Sequence, residues 1–155
     1  MKNYDKLYIG GEWVSATGQG TFEVTHAASE AVIGRVPAGD RSDVDRAVRA
    51  ARAAFDGWSR STPAVRAGYL QKILAGIATR AGEIAETVAA EVGMPIGLSK
   101  PIQAGLPAAS FQTALALVTS YEYEKKQGHS LIVKEPRGVI GCITPWNYPL
   151  HQVAA

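Results

Sequence analysis

Residues 139–150 constrain the fold of this chain more than any other stretch. Val139-Ile140-Gly141-Cys142-Ile143 is a continuous apolar run, and Thr144-Pro145-Trp146-Asn147-Tyr148-Pro149-Leu150 follows it. An apolar run without polar alternation is the pattern of a strand buried on both faces, as in sheets covered by helices. Pro149 suits the first turn of a helix, where its missing N–H has no intrahelical partner to lose. Leu150, Val153 and Ala154 fall on one side of that helix and are expected to face the sheet. A strand feeding a helix is half of a parallel crossover unit, which needs a second strand to pack against. None follows before Ala155, and the helical residues from Pro149 span only about 10 Å. The sequence therefore reads as cut in mid-motif, a fragment of an α/β fold.

Upstream, the pattern begins with strands. Leu7-Tyr8-Ile9 and Glu12-Trp13-Val14 flank Gly10-Gly11, a two-residue hairpin signal. Thr21–Thr25 and Ala31–Val36 form a second pair around the turn His26-Ala27-Ala28-Ser29-Glu30. Ser42 with Asp45 resembles a capping box, and Val44, Ala47, Val48, Ala51 and Phe55 then recur at helical spacing. Arg46, Arg49 and Arg52 lie off that stripe and read as a solvated face. Thr62-Pro63 opens a second helix with Val65, Leu70, Ile73, Leu74 and Ile77 on its buried stripe. Gly82 predicts a break, and Ile84, Ala85, Val88 and Val92 carry a further helix to Gly93. Pro107 is expected to kink or divide any helix around it. Ala108 to about Lys126 reads as helix, and Ser130–Lys134 as a strand.

Composition removes several function classes. Of 155 residues, 46% are hydrophobic and 19% charged, and 16 Lys+Arg against 14 Asp+Glu leave a net charge of +2. That balance gives no basic surface for nucleic acid. No stretch approaches the ~20 apolar residues of a membrane span, and the N-terminal MKNYDKLYIGG lacks the apolar core of a secretory signal. A single cysteine excludes a disulfide framework and fits a reducing compartment. The expectation is a cytoplasmic protein with neither nucleic-acid nor membrane partners.

Most candidate chemical groups have a plainer reading. Cys142 sits inside the apolar run, where burial would leave a thiol inert, so it is expected to be packed. His26, His129 and His151 show no metal-binding spacing and are expected at the surface or in turns. Glu83 and Glu86 share a helix face, and Glu122-Tyr123-Glu124-Lys125-Lys126 reads as a polar helix end. Neither G-x-G-x-x-G nor G-x-x-x-x-G-K-[ST] occurs, so both standard phosphate cradles are missing. The loop from Ile143 to Pro149 differs from these. It follows the carboxyl end of a buried strand and precedes a helix, where α/β sheets place ligands. There the Asn147 amide is a fixed donor able to stabilise negative charge developing on a carbonyl oxygen. An ordinary strand–helix loop is the competing reading.

The segment from Glu135 through Leu150, with its P-W-N-[FY]-P core at Pro145–Pro149, resembles the NAD(P)-dependent aldehyde dehydrogenase superfamily. Leu7-Tyr8-Ile9-Gly10-Gly11-Glu12-Trp13 is similar to that family's opening strand pair. Ser42–Phe55 and Trp58–Leu70 are similar to its first helices. The resemblance implies an aldehyde-dehydrogenase-like α/β fold, in which N-terminal β-hairpins and helices lead into the first strand–loop–helix of a Rossmann-like cofactor domain. It divides the chain into an N-terminal β/helical part at 1–129, an extended strand at 130–136 suited to oligomerisation, and the strand–loop–helix at 137–155. It further implies oxidation of a small aldehyde to a carboxylic acid, with NAD or NADP as cofactor and NAD slightly favoured, by a homodimer or homotetramer. A cysteine thiohemiacetal lies on that route. By the same resemblance Asn147 is the oxyanion donor, and Ile143, Thr144, Pro145 and Trp146 line the cofactor.

Cys142 does not match the family's nucleophile. Lys100-Pro101 is followed by Ile102-Gln103 and does not match its K-P-S-E motif. The nucleophile, the general-base glutamate and the glycine-rich turn have no counterpart in these 155 residues, so the chain alone is expected to be inactive. Two other outcomes stay open at this point. One is a non-catalytic fragment or interaction module. The other is a coenzyme-A-acylating relative.

Overall fold

The computed structural model describes residues 2–155. Its elements run β1 (Lys2–Asn3), β2 (Lys6–Ile9), β3 (Glu12–Ser15), β4 (Thr21–Thr25), β5 (Val32–Pro37), α1 (Arg41–Ser59), α2 (Pro63–Thr79), α3 (Ala81–Val92), α4 (Ile96–Ser99), a π-turn (Lys100–Ala104), α5 (Gly105–Val118), β6 (Glu124–Gln127), β7 (Ser130–Val133) and α6 (Pro149–Ala154).

Both expected hairpins form. β2 and β3 pair antiparallel across Gly10-Gly11, whose φ values of +64° and +88° suit a primed turn. Tyr8 stands opposite Trp13 in that register, with ring centroids 5.1 Å apart. β4 and β5 pair antiparallel, and β1 joins β5 in parallel, giving a sheet of order β1-β5-β4.

Several boundaries differ from expectation, each for a local reason. The capping box of α1 is Asp40 and Asp43, not Ser42 and Asp45. Each carboxylate accepts the other residue's backbone N–H at 3.1 Å. Thr62 caps α2 as expected, its Oγ1 accepting from the Val65 N–H at 3.3 Å, with Pro63 at the first helical position. The break between α2 and α3 falls at Arg80, and Gly82 lies within α3.

Pro107 sits inside α5 and does not divide it. A proline's missing amide and its ring act on the carbonyl four residues back. For Pro107 that carbonyl belongs to Gln103, inside the π-turn, and for Pro101, itself the second residue of the π-turn, to Gly97. The Gly105 N–H is shared between the carbonyls of Ile102 and Lys100.

The helix expected to reach Lys126 stops at Val118. Beyond it, residues 121–123 are irregular and β6 begins only at Glu124. β6 pairs antiparallel with β7 over a turn at Gly128, where φ is +59°. Leu131, Ile132 and Val133 thereby gain backbone partners, while their side chains stay exposed.

Residues 139–143 form no strand. No described strand pairs with them, and an extended segment becomes a sheet strand only when its N–H and C=O groups find a neighbour. Cys142 is accordingly exposed, which corrects its expected burial.

The packed part of the molecule is helical. α2 lies along α5, α3 against the π-turn, and α6 against both α5 and the π-turn. Its centre is Ala67, Ile77, Ala85, Val88 and Ala104, joined by the buried polar side chains of Ser99 and Gln103. The Ser99 hydroxyl donates to the Ala85 carbonyl at 2.7 Å and fastens the end of α4, where the π-turn begins, to α3.

Candidate active-site loop

Residues 134–145 have no regular structure, and a bend at 146–148 leads into α6. Pro149 occupies the first turn of α6, as the sequence predicts. The bend and the helix rest on α5 and the π-turn, so the helical core sets the position of Asn147.

Ile143, Thr144, Pro145 and Trp146 lie together on the exposed segment, with Ile143 fully exposed and Trp146 75% exposed. Asn147 closes that segment and is partly buried. Its side-chain amide has no hydrogen-bond partner among the described residues. Its main-chain carbonyl, by contrast, accepts a bond of 2.9 Å from Nε2 of Gln103, a residue with no exposed surface. The same Nε2 lies 3.7 Å from the Met94 sulfur. Two buried polar atoms nearby lack a partner among the described residues, Oε1 of Gln103 and Nδ1 of His151 in α6.

The other candidates stay apart from this loop. His26 acts within its turn, where Nδ1 accepts from the Ala28 and Ser29 N–H groups at 3.2 and 3.3 Å. His129 lies exposed in the β6–β7 turn. His151 departs from its expected surface role, being partly buried within α6. Glu83 pairs with Arg80 on an exposed helix face at 2.8 Å. Cys142 is five positions from Asn147 in sequence and makes no hydrogen bond with any described residue. Among the described residues, no group of three or more His, Cys, Asp or Glu side chains could hold a metal ion.

Gln103 is the member of this constellation that sequence reasoning missed. Its only signal was one polar residue between Ile102 and Ala104, in a stretch bracketed by Pro101 and Pro107. That pattern does not identify a partner 44 residues away.

Residues 13–155 match the model of the aldehyde dehydrogenase family. The chain is 40% identical over 156 residues to 3-succinoylsemialdehyde-pyridine dehydrogenase of a Pseudomonas species, covering 100% of this chain and 33% of that protein. Among solved structures, a mutant of aldehyde dehydrogenase C from Pseudomonas syringae, complexed with NAD+ and octanal, superposes with a TM-score of 0.94 at 39% identity. That match covers 97% of this chain and 31% of the other. The NAD+ complex of a Mycobacterium tuberculosis aldehyde dehydrogenase gives 0.92 at 30% identity, over 99% of this chain and 33% of that one. The chain thus spans about a third of the length of the curated relatives it matches. By its family model, its relatives and its fold, the chain belongs to the aldehyde dehydrogenase family.

Proposed function

We propose that the polypeptide carrying this segment oxidises an aldehyde, with NAD(P)+ and water, to a carboxylic acid, NAD(P)H and a proton, and that Asn147 is its oxyanion donor. The observation that carries this reading is the division of labour at Asn147. Its main chain is clamped by a buried amide while its side-chain amide is left without a partner among the described residues. A donor whose position is fixed in advance stabilises charge that appears only in the transition state, at no reorganisation cost. When a cysteine thiolate adds to the aldehyde carbon, the carbonyl oxygen becomes the anionic oxygen of a thiohemiacetal. An amide N–H held beside it lowers that barrier. The attacking cysteine is not Cys142, which no base or cation activates among the described residues.

The segment fits a dinucleotide. Backbone N–H and C=O groups of residues 143–146 make no backbone hydrogen bond with the described residues, and Ile143 and Trp146 present uncovered apolar faces beside them. Sugar hydroxyls and a carboxamide need such polar groups, and the flat faces of the bases need such apolar ones. We place Ile143, Thr144, Pro145 and Trp146 along that cofactor, which when bound supplies the hydride acceptor. NAD+ ranks ahead of NADP+, in keeping with the two NAD+-bound relatives. The β6–β7 hairpin, exposed at Leu131, Ile132 and Val133, is the proposed subunit contact of a homo-oligomer. The lone, unbridged cysteine fits a cytoplasmic location.

The test is Asn147→Ala in the full-length protein, followed by the aldehyde-dependent burst of NADH. Loss of one oxyanion donor should slow the burst by about 10²–10³-fold, with KM for NAD+ changed less than about twofold. A burst within about threefold of the unsubstituted enzyme would remove Asn147 from the role.

A further inference from the structure

We propose that Gln103 is the positioning residue for Asn147, setting the direction of the oxyanion donor through a single side-chain-to-backbone hydrogen bond. The inference rests on the reading of Asn147 given above and extends it to a residue on a different element.

Direction is what this bond controls. Once the peptide planes are fixed, the orientation of a residue's carbonyl is set by its ψ angle, and so is the direction of Cα–Cβ relative to that plane. Holding the Asn147 oxygen at 2.9 Å from Gln103 Nε2 therefore restricts where the Asn147 side chain begins. On the other side, Pro149 has a restricted φ and starts α6, which packs on the π-turn and α5. The bend at 146–148 is thus held at its centre, by Gln103, and at its C-terminal end, by α6.

Gln103 is itself held rigidly. It has no exposed surface, and it belongs to a π-turn that contains Pro101 and directly follows Ser99, the residue whose hydroxyl ties the end of α4 to α3. π-Turns widen a helix by one residue and re-aim the side chains they carry. Here the re-aimed side chain bridges two elements whose contact spans 44 positions of sequence.

A purely structural role explains this residue less well. Oε1 of Gln103 is buried with no partner among the described residues, and an orphaned buried acceptor costs at least as much as one neutral hydrogen bond returns. An apolar side chain of the same volume would fill the site without that cost. The amide also has one usable orientation, because flipping it would bring its oxygen against the Asn147 carbonyl oxygen.

The test is a double-mutant cycle in the full-length enzyme, read by the NADH burst. Gln103→Met keeps the volume and removes the donor. It should slow the burst by about ten- to a hundredfold, the cost of misplacing a catalytic group by a fraction of its reach, and change KM for NAD+ less than about twofold. In an Asn147→Ala background the same substitution should cost less than about twofold, because the group it positions is gone. A general packing defect would slow both backgrounds equally, and that result would overturn the proposal. Should Asn147→Ala itself leave the burst unchanged, the oxyanion reading fails, whatever Gln103→Met does.

Gln103→Glu supplies an independent readout if the methionine variant folds poorly. A protonated carboxyl can donate to the Asn147 carbonyl and a carboxylate cannot. The rate of that variant relative to the parent should therefore rise as pH is lowered, and a flat ratio counts against the proposal.

Discussion

Asp43 organises the start of α1 around one nearly buried charge. Its carboxylate, 3% exposed, accepts the N–H of Thr17 at both oxygens and that of Asp40, each at 3.1 Å, and also the Arg46 guanidinium at 3.1 Å. Burial works against the charge, but hydrogen bonds from Asp40 and Thr17 outweigh it and hold the pKa below its ordinary value. A carboxylate stabilised in this way contributes fully above the ordinary range near ~4 and loses that contribution as pH falls through the lower folded value. Asp43→Asn should lower the melting temperature of the full-length protein at pH 7, with the gap closing progressively below about pH 4. A gap of constant size from pH 7 to pH 3 would show that the charge is not what matters. Asn147 is a different kind of residue. The role proposed for Asn147 rests on a contiguous motif at Pro145–Pro149 that the sequence displays, whereas the Gln103 contact has no local pattern.

At the scale of elements, glycines separate positions that need one from positions that tolerate one. Gly93 ends α3 with φ at +81°, and a Cβ there would stand 3.1 Å from that of Ala27. Ala27 is also the residue whose N–H donates to the Ala90 carbonyl at 2.8 Å, tying the β4–β5 turn to the end of α3. Gly93→Ala should therefore destabilise by about 1–2 kcal/mol, the cost of a left-handed conformation for a residue with a side chain. Gly82, inside α3, has nothing within 4 Å of the position a methyl group would take, and it should behave oppositely. Gly82→Ala should stabilise by about 0.5–1 kcal/mol, and thermal melts of the pair would show opposite shifts. The same contrast explains which elements were legible in the sequence. The hairpins and the Thr62-Pro63 helix start were legible because their signals are local. The end of α5 and the loss of a strand at 139–143 were not, because each depends on whether a partner strand exists.

Taken whole, the molecule has far more surface than its mass requires. A folded monomer of 16.4 kDa exposes about 7,500 Å², and this chain exposes 11,033 Å². The excess, about 3,500 Å², is roughly four times what one partner contributes to an interface of ordinary size. It is apolar where it matters most, since Ile140, Ile143 and Trp146 are each at least 73% exposed. A transient docking module needs much less uncovered surface than this, so the segment fits better as one part of an extensively packed assembly. The 155-residue polypeptide on its own should keep helical far-UV dichroism, bind a hydrophobic dye strongly, and self-associate in sedimentation at micromolar concentration. It should produce no NADH from aldehyde and NAD+, because the oxyanion donor proposed at Asn147 would accelerate nothing without a nucleophile beside it. A dye-silent monomer with a sharp unfolding transition would mean that these surfaces are satisfied within the chain. Aldehyde-dependent NADH from the same sample would mean that Asn147 and Cys142 share a site after all.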